Sequence, residues 1–175
     1  MRKIVILRGG PGTGKTTWGL AYYDKRKQKC PYEDIRYMSR DAYRQRLCKY
    51  DMGEYHKSFE NKYWDRSIRK NFWMNINEVM ERCDLMILDM TMIDYRDIFA
   101  LTWYLFKYEQ EHETKVKIRW KIFLTEYGSE HEVPPDKMEK YRQMFEDSAE
   151  MVKERKLSCI NGIMEESDEK WNFIV

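Results

Sequence analysis

The chain alternates between short apolar runs and longer amphipathic stretches. The apolar runs predict β-strands at residues 3–8, 35–39, 85–88 and 116–124. The amphipathic stretches predict helices at residues 15–27, 41–50, 55–82, 94–112 and 136–156. Because a helix follows each strand, the strands need crossover connections. We therefore expect an α/β fold with a mostly parallel sheet of four or five strands, the fifth formed by residues 171–175.

Composition places the chain among soluble globular proteins. Of its 175 residues, 42% are hydrophobic and 35% charged, and there is no repeat, low-complexity segment or glycine–serine linker. We predict a single domain spanning residues 1–175. No apolar run approaches the roughly 20 residues that cross a bilayer, so no membrane partner is expected. The four cysteines are widely spaced, which argues against a disulfide framework or zinc site and favours a reducing cytoplasm.

The small net charge of +2 hides an uneven distribution. Residues 1–82 carry 19 Lys and Arg against 10 Asp and Glu, whereas residues 83–175 carry 13 against 20. The first part of the chain is therefore a candidate anion-handling surface. An uneven scatter of surface charge would give the same count, so charge alone leaves both interpretations open.

A glycine-rich segment supplies the first chemical motif. Residues 9–16, GGPGTGKT, match the phosphate-loop pattern G-x-x-x-x-G-K-[ST] between a predicted strand and a predicted helix. There, backbone N–H groups and the positive helix end can bind phosphates. Lys15 would reach the β- and γ-phosphates of ATP, and the Thr16 hydroxyl would bind Mg²⁺. The expected nucleotide-binding residues are Gly10, Gly12, Thr13, Gly14, Lys15, Thr16 and Thr17.

Asp89 is the second candidate site residue. It ends the apolar run 85–88, and a parallel sheet would place its carboxylate beside the phosphate loop, near the metal. A turn-capping aspartate would show the same pattern. With the loop upstream, we favour a site role for Asp89 in binding the metal and the acceptor.

Four segments together resemble a known family. They are GGPGTGKTTW at 9–18, SRDAYRQ at 39–45, LDMT at 88–91 and VPPDKMEKYRQMF at 133–145. In this order they resemble the phage-type polynucleotide 5′-hydroxyl kinases, within the wider P-loop kinase group that includes zeta-toxin-like enzymes. The resemblance implies a P-loop kinase-like three-layer sandwich, ATP and Mg²⁺ as cofactors, a nucleic-acid acceptor, and a phage protein acting in the cytoplasm of an infected cell.

The resemblance also implies roles for two residues of the SRDAYRQ segment. Asp41 matches the family's aspartate that activates the acceptor hydroxyl, a task that suits a carboxylate within hydrogen-bond reach. Arg44 matches the arginine that binds a phosphate of the acceptor. Three residues apart, the two would share one face of a helical turn. Arg40 has no implied role beyond a surface charge or an ion pair.

The sequence departs from the family in two places. The family's lid carries an arginine that stabilises the transferring phosphoryl group, but the corresponding loop, about residues 125–135, has no Lys or Arg. Arg142, Arg96 or a second subunit could supply that cation, and His131 is a further candidate. The family's Asp-Thr-Asn is here Asp89-Met90-Thr91, which indicates a different acceptor pocket.

The long predicted helix 55–82 is a candidate wall for the acceptor. We expect Phe59, Tyr63, Phe72, Ile76, Val79 and Cys83 to line its buried face. Basic residues, Arg66 and Arg69 among them, would then contact phosphates, and Trp64 or Trp73 could stack on bases. A helix with a solvated basic face and packed tryptophans fits equally well.

These observations predict an ATP-dependent kinase acting on a hydroxyl of nucleic acid, with Asp41, Lys15 and Arg44 as catalytic residues. The expected acceptor is the 5′-OH of a DNA or RNA end. The first alternative is a kinase of a hydroxymethylated base, such as 5-hydroxymethyluracil, in phage DNA, which would require base flipping. Further alternatives are a nucleoside or sugar-nucleotide kinase, and a nucleotide-binding protein with little catalysis.

Overall fold

A computed structural model describes residues 2–124, 133–153 and 164–165. The elements in chain order are β1 (Arg2–Arg8), α1 (Lys15–Lys29), β2 (Ile35–Ser39), α2 (Arg40–Leu47), α3 (Met52–Glu60), α4 (Lys62–Arg82), β3 (Leu85–Asp89), α5 (Tyr95–His112), β4 (Val116–Ile122), α6 (Pro135–Lys153) and β5 (Met164–Glu165). No helix among these residues is long and apolar enough to cross a bilayer.

The strands form one sheet in the order β2-β3-β1-β4-β5, and all four neighbouring pairs are parallel. The expected α/β fold with a parallel sheet is therefore confirmed. The fifth strand is the two-residue β5 at 164–165. The predicted strand at 171–175 lies outside the described residues.

Alternation along the strands divides the core between the two faces of the sheet. On one face, Ile4 and Ile6 of β1 pack with residues of α4 and α5 in the larger apolar cluster. On the other face, Val5 and Leu7 pack against aromatic side chains of α1, including Trp18. Because successive strand residues point to opposite faces, a fully apolar β1 requires helices on both sides. The result is the three-layer arrangement that the resemblance implies.

The predicted helix 55–82 is wrong as a single helix, because it is broken at Asn61. Asn61 adopts an extended conformation and ends α3, its N–H donating to the carbonyl of Lys57. Its side-chain oxygen then accepts from the N–H groups of Tyr63 and Trp64, each at 3.1 Å, which caps α4. Asparagine is among the strongest N-cap residues, so one residue ends the first helix and starts the second.

After the break the predicted buried face holds: Phe72, Ile76 and Cys83 are buried, and Val79 packs against the core. The prediction is wrong only beside Asn61. Phe59 is 47% exposed and Tyr63 90% exposed, although both were expected inside. The buried side chains of α4 are Ile68, Phe72, Trp73, Ile76 and Met80. Trp73 stacks on Tyr104 of α5 with ring centroids 5.7 Å apart, so it is part of the core, whereas Trp64 is half-buried.

The carboxyl ends of three strands lie level with one another. Asp89 of β3 is the register partner of Leu7 in β1 and of Ser39 in β2. The helices that follow β1 and β3 pack on opposite faces of the sheet. A crevice opens where neighbouring connections diverge in this way, and such crevices are the usual ligand sites of open α/β sheets.

We predict that Phe72→Ala, which empties a fully buried position, lowers the free energy of unfolding by about 3–5 kcal/mol. The matched control is Met74→Ala on the same helix, where the side chain is 52% exposed and the change should stay within about 0.5 kcal/mol. Urea unfolding followed by circular dichroism measures both. Equal losses in the two variants would contradict the assigned face of α4.

Candidate active site

The glycine-rich loop, residues 9–16, connects β1 to α1 as its sequence predicts. A Cβ at Gly9 would lie 2.7 Å from the carbonyl oxygen of Phe123, so no larger residue fits there. Gly12 and Gly14 have φ of 69° and 78°, a conformation that L side chains rarely adopt. Gly14 is also the N-cap of α1. Backbone and helix end therefore meet in the arrangement that binds anions.

Lys15 lies folded against this loop. Its ammonium donates to the carbonyl of Gly10, and the Thr13 hydroxyl donates to the same carbonyl at 2.9 Å. Only 8% of Lys15 is exposed. Burial lowers the pKa of the Lys15 ammonium below its ordinary value, while the negative charges of Asp89 and Asp41 oppose that shift. A buried ammonium held by neutral oxygens is a favourable partner for an anion entering the loop.

Asp89 joins the loop to the neighbouring strand. One of its carboxylate oxygens accepts from the Thr16 hydroxyl at 2.7 Å and from the Tyr37 hydroxyl at 2.6 Å. The side chain is 4% exposed. Burial raises the pKa of Asp89, whereas these hydrogen bonds and the charge of Lys15 lower it. A buried carboxylate beside a hydroxyl is a hard-oxygen donor pair of the kind that Mg²⁺ prefers.

Tyr37 is a residue of the candidate site that the sequence analysis does not predict. It lies in β2 on the same face as Ile35, against α1, and a Cβ at Gly19 would come within 2.9 Å of its ring. Burial, together with the adjacent Asp89 carboxylate, raises the pKa of its hydroxyl, so Tyr37 stays a hydrogen-bond donor. The sequence does carry a signal for this position. Tyr37 lies two residues after the apolar Ile35, on the same face of β2, and two residues before the strand ends.

Asp41 lies in the first turn of α2, directly after the end of β2. The Ser39 hydroxyl caps this helix by accepting from the N–H of Ala42 at 3.3 Å. The Asp41 side chain is exposed. Ser39, the last residue of β2, is the register partner of Asp89, so Asp41, two residues later, lies at the same edge of the sheet. The structure thus brings Asp41, Asp89 and the loop together.

Arg40 anchors the start of α2. Its guanidinium donates to Asp97 of α5 at 2.7 Å, and both side chains are largely shielded from solvent. This is the ion pair that the sequence left open for Arg40. Because Asp41 follows Arg40 directly, the pair fixes the position of the Asp41 backbone relative to α5.

Arg44 is buried and bonded within the fold, whereas the acceptor-phosphate role that the resemblance implies needs an accessible guanidinium. It is 2% exposed. Its guanidinium donates to the Ser58 hydroxyl at 2.9 Å and to the carboxylate of Asp65, and it lies 3.8 Å over the ring of Phe59. Arg44 therefore joins α2 to α3 and α4. Spacing alone could not reveal this, since Asp65 is distant in sequence.

Arg69 and Arg66 differ in their surroundings. Arg69 lies 3.1 Å from Asp65 and 3.8 Å from both Asp94 and Asp97, so its charge is already matched within the fold. Arg66 is exposed. Of the two predicted acceptor contacts on α4, Arg66 is the one whose side chain faces solvent.

A pocket of about 560 Å³ adjoins the glycine-rich loop. It is bounded by Gly10 and Thr13 on one side and by α6 on the other, with Phe123, Met138 and Arg142 in its walls. Arg142 also lies 3.0 Å from Glu139. Arg96, the other named source of a cation, is paired with Asp94 at 2.6 Å. Lid residues 125–132, including His131, lie outside the described residues.

No family model matches the sequence, and no curated protein matches it. Solved structures do share the fold. One chain from the structure of a Pnkp1/Rnl/Hen1 RNA repair complex aligns with a TM-score of 0.62 and 18% identity over 85% of this chain. Another, from a Pnkp1/Rnl/Hen1 complex, aligns with a TM-score of 0.50 and 22% identity over 71%. This chain spans 45% and 36% of those two chains.

We predict that Asp65→Ala destabilises the protein, because it leaves the buried Arg44 guanidinium without its carboxylate. The expected loss in free energy of unfolding is about 2–3 kcal/mol, below the range for fully buried pairs because the Asp65 side chain is 25% exposed. Arg46→Ala, an exposed position on α2, should change it by no more than about 0.5 kcal/mol. Thermal unfolding compares them. Wild-type stability in Asp65→Ala would contradict a structural role for Arg44.

Proposed function

We propose that this protein is a kinase that transfers the γ-phosphoryl group of ATP to a hydroxyl on nucleic acid, with a polynucleotide 5′-OH as acceptor. The observation that carries the proposal is the convergence of three elements at one sheet edge: the glycine-rich loop, the Thr16–Asp89 pair and the exposed carboxylate of Asp41. The fold shared with chains of RNA repair complexes agrees with a nucleic-acid acceptor.

The residues of the loop fit a nucleotide polyphosphate. Backbone N–H groups of Gly10 and of residues 12–17, with the α1 N-terminus, would bind the phosphates, and Lys15 would move from the Gly10 carbonyl to a phosphate oxygen. The adjoining pocket, with Phe123 and Met138 in its walls, has the volume and apolar surface suited to the nucleoside. Because the pocket adjoins Gly10 and Thr13, a nucleoside bound in it would lie next to the phosphates bound by the loop.

Thr16 and Asp89 fit a magnesium ion. Within the described residues no group of three or more His, Cys, Asp or Glu is placed to hold a metal, so the remaining ligands would be phosphate oxygens and water, as is usual for Mg²⁺. When bound, Mg²⁺ neutralises charge on the phosphates. A cation there would also favour the ionised form of Asp89, whose pKa burial raises.

Asp41 would act on the acceptor. Its carboxylate accepts a hydrogen bond from the attacking hydroxyl and orients it in line with the γ-phosphorus. As the new bond from the hydroxyl oxygen to phosphorus forms and the bond from phosphorus to the β–γ bridging oxygen breaks, the proton passes to Asp41 and ADP leaves. Arg40, held by Asp97, keeps Asp41 at the edge where this transfer occurs.

We predict that Asp41→Asn keeps ATP affinity and lowers transfer by about 10²-fold or more, since the amide cannot take the proton. Lys15→Ala should weaken both ATP binding and transfer. Labelled γ-phosphate transfer to 5′-hydroxyl oligonucleotides measures the rate, and calorimetry measures ATP binding. Full activity in Asp41→Asn would remove Asp41 as the base. Transfer only to duplexes with phosphorylated ends and 5-hydroxymethyluracil, or only to nucleosides, would replace the proposed acceptor.

We predict that Arg142→Ala lowers the transfer rate by about 10²-fold, because its cation would stabilise charge on the phosphoryl group in transfer. Arg142 adjoins the loop through the pocket wall. Lys140→Ala, an exposed neighbour on α6, is the control and should keep the wild-type rate. A normal rate in Arg142→Ala would assign that task to another group.

A further inference from the structure

A buried charge lies where β1 enters the glycine-rich loop. Arg8, the last residue of β1, is 1% exposed, and Gly9 follows it directly. Burial lowers the pKa of Arg8 to about 10, which leaves the guanidinium charged at neutral pH. Ile4 and Ile6, on the same face of the strand, are apolar and belong to the core. Because burying a charge is costly, an arginine is a poor choice here if its only task is to fill space.

The guanidinium of Arg8 joins two segments that are distant in sequence. It donates to the carbonyl of Met92 in the β3–α5 connection. It also donates to the carbonyl of Phe145 at 3.0 Å and to the hydroxyl of Ser148 at 2.9 Å, both in α6. The Ser148 hydroxyl donates its own proton to the Met144 carbonyl at 2.6 Å, which leaves its lone pairs to accept from Arg8. The rigid, planar fork of an arginine suits several acceptors at fixed positions.

The turn of α6 that Arg8 holds lies next to Arg142. Phe145 and Arg142 are three residues apart, on one face of the helix, and both line the pocket that adjoins the glycine-rich loop. The central carbon of the Arg8 guanidinium lies 4.5 Å from the centre of the Phe145 ring, a distance typical of a cation–π contact. Arg8 is therefore bonded to α6 about one turn beyond Arg142, and its main chain continues directly into the loop.

We propose that Arg8 is a positioning residue, which sets the distance from α6 to the glycine-rich loop and so places the Arg142 guanidinium beside the phosphates of the bound nucleotide. Arg8 acts through Arg142 rather than on the nucleotide. A misplacement of about 1 Å at a group that contacts the reacting atoms can lower a rate by about 10²-fold, so a fixed distance between the two elements matters. The inference rests on the proposed function for the role of Arg142.

The test is a double-mutant cycle with Arg8→Met and Arg142→Ala. Affinity for inorganic tripolyphosphate with Mg²⁺ is measured by calorimetry, without ATP or acceptor. It should fall by about tenfold in each single variant and no further in the combined variant, because effects that act through one shared group do not add. The control is Arg2→Met, at the other end of β1, where the side chain is 28% exposed; it should bind like wild type.

Phosphoryl transfer by the same proteins gives a second cycle. Arg8→Met should lower kcat by about tenfold or more, leave KM for the acceptor near the wild-type value, and add nothing to the loss in Arg142→Ala. Losses that multiply in the combined variant would overturn the proposal, because they indicate a general structural role. Wild-type tripolyphosphate affinity in either single variant would also overturn it.

Ser148→Ala keeps the cycle decisive if Arg8→Met does not fold. It removes one acceptor of Arg8 on α6 and leaves the buried charge in place, and alanine suits a helix. Its loss of tripolyphosphate affinity should be smaller than that of Arg142→Ala and should disappear when the two changes are combined. A Ser148→Ala loss that persists in the Arg142→Ala protein would overturn the proposal.

Tripolyphosphate binding requires no transfer, so failure of this inference is distinguishable from failure of the proposed kinase. A non-additive binding cycle without transfer to any acceptor would keep Arg8 as a positioning residue and reject the kinase. Transfer by the wild-type protein, together with losses that multiply in both cycles, would keep the kinase and reject the role of Arg8.

Discussion

The site depends on one buried carboxylate. Asp89 ends strand β3, which lies between β2 and β1, level with Leu7 and Ser39, and it accepts hydrogen bonds from Thr16 and Tyr37. A buried carboxylate is costly unless it is hydrogen-bonded or paired. These two bonds therefore hold α1 and β2 against β3, so the contact that stabilises the charge also aligns the three strand ends.

A second set of buried charges determines where α2 lies. Arg40 pairs with Asp97 and Arg44 with Asp65, so two successive turns of one short helix are fixed to α5 and α4. An eight-residue helix has little stability of its own in water. Tertiary ion pairs, rather than helix propensity, thus keep the first turn at the crevice. Arg44, which the resemblance matches to an acceptor-phosphate ligand, serves here to position the helix.

Local sequence signals were sufficient to predict the α/β fold class and the position of the glycine-rich loop. Apolar runs located β1, β2 and β3, and the glycine pattern located the turn that residues 9–16 form. The apolar periodicity failed to predict the helix break at Asn61. Apolar residues continue on both sides of Asn61, whereas the backbone leaves the helical conformation at that residue. Periodicity also could not predict the partners of Arg44 or the Tyr37–Asp89 bond, since both depend on side chains far apart in sequence.

The two carboxylates of the candidate site differ in their surroundings, and that difference suits the two tasks that the proposed function gives them. Asp89 is buried and bonded to two hydroxyl donors, so releasing or accepting a proton there would disturb its contacts with α1 and β2. Asp41 is exposed at the start of α2 and can meet an incoming hydroxyl without breaking any packing. Under the proposed function, environment would separate their tasks, as it does for paired carboxylates in enzymes. The buried group suits a fixed cation, and the exposed group suits proton transfer with the acceptor.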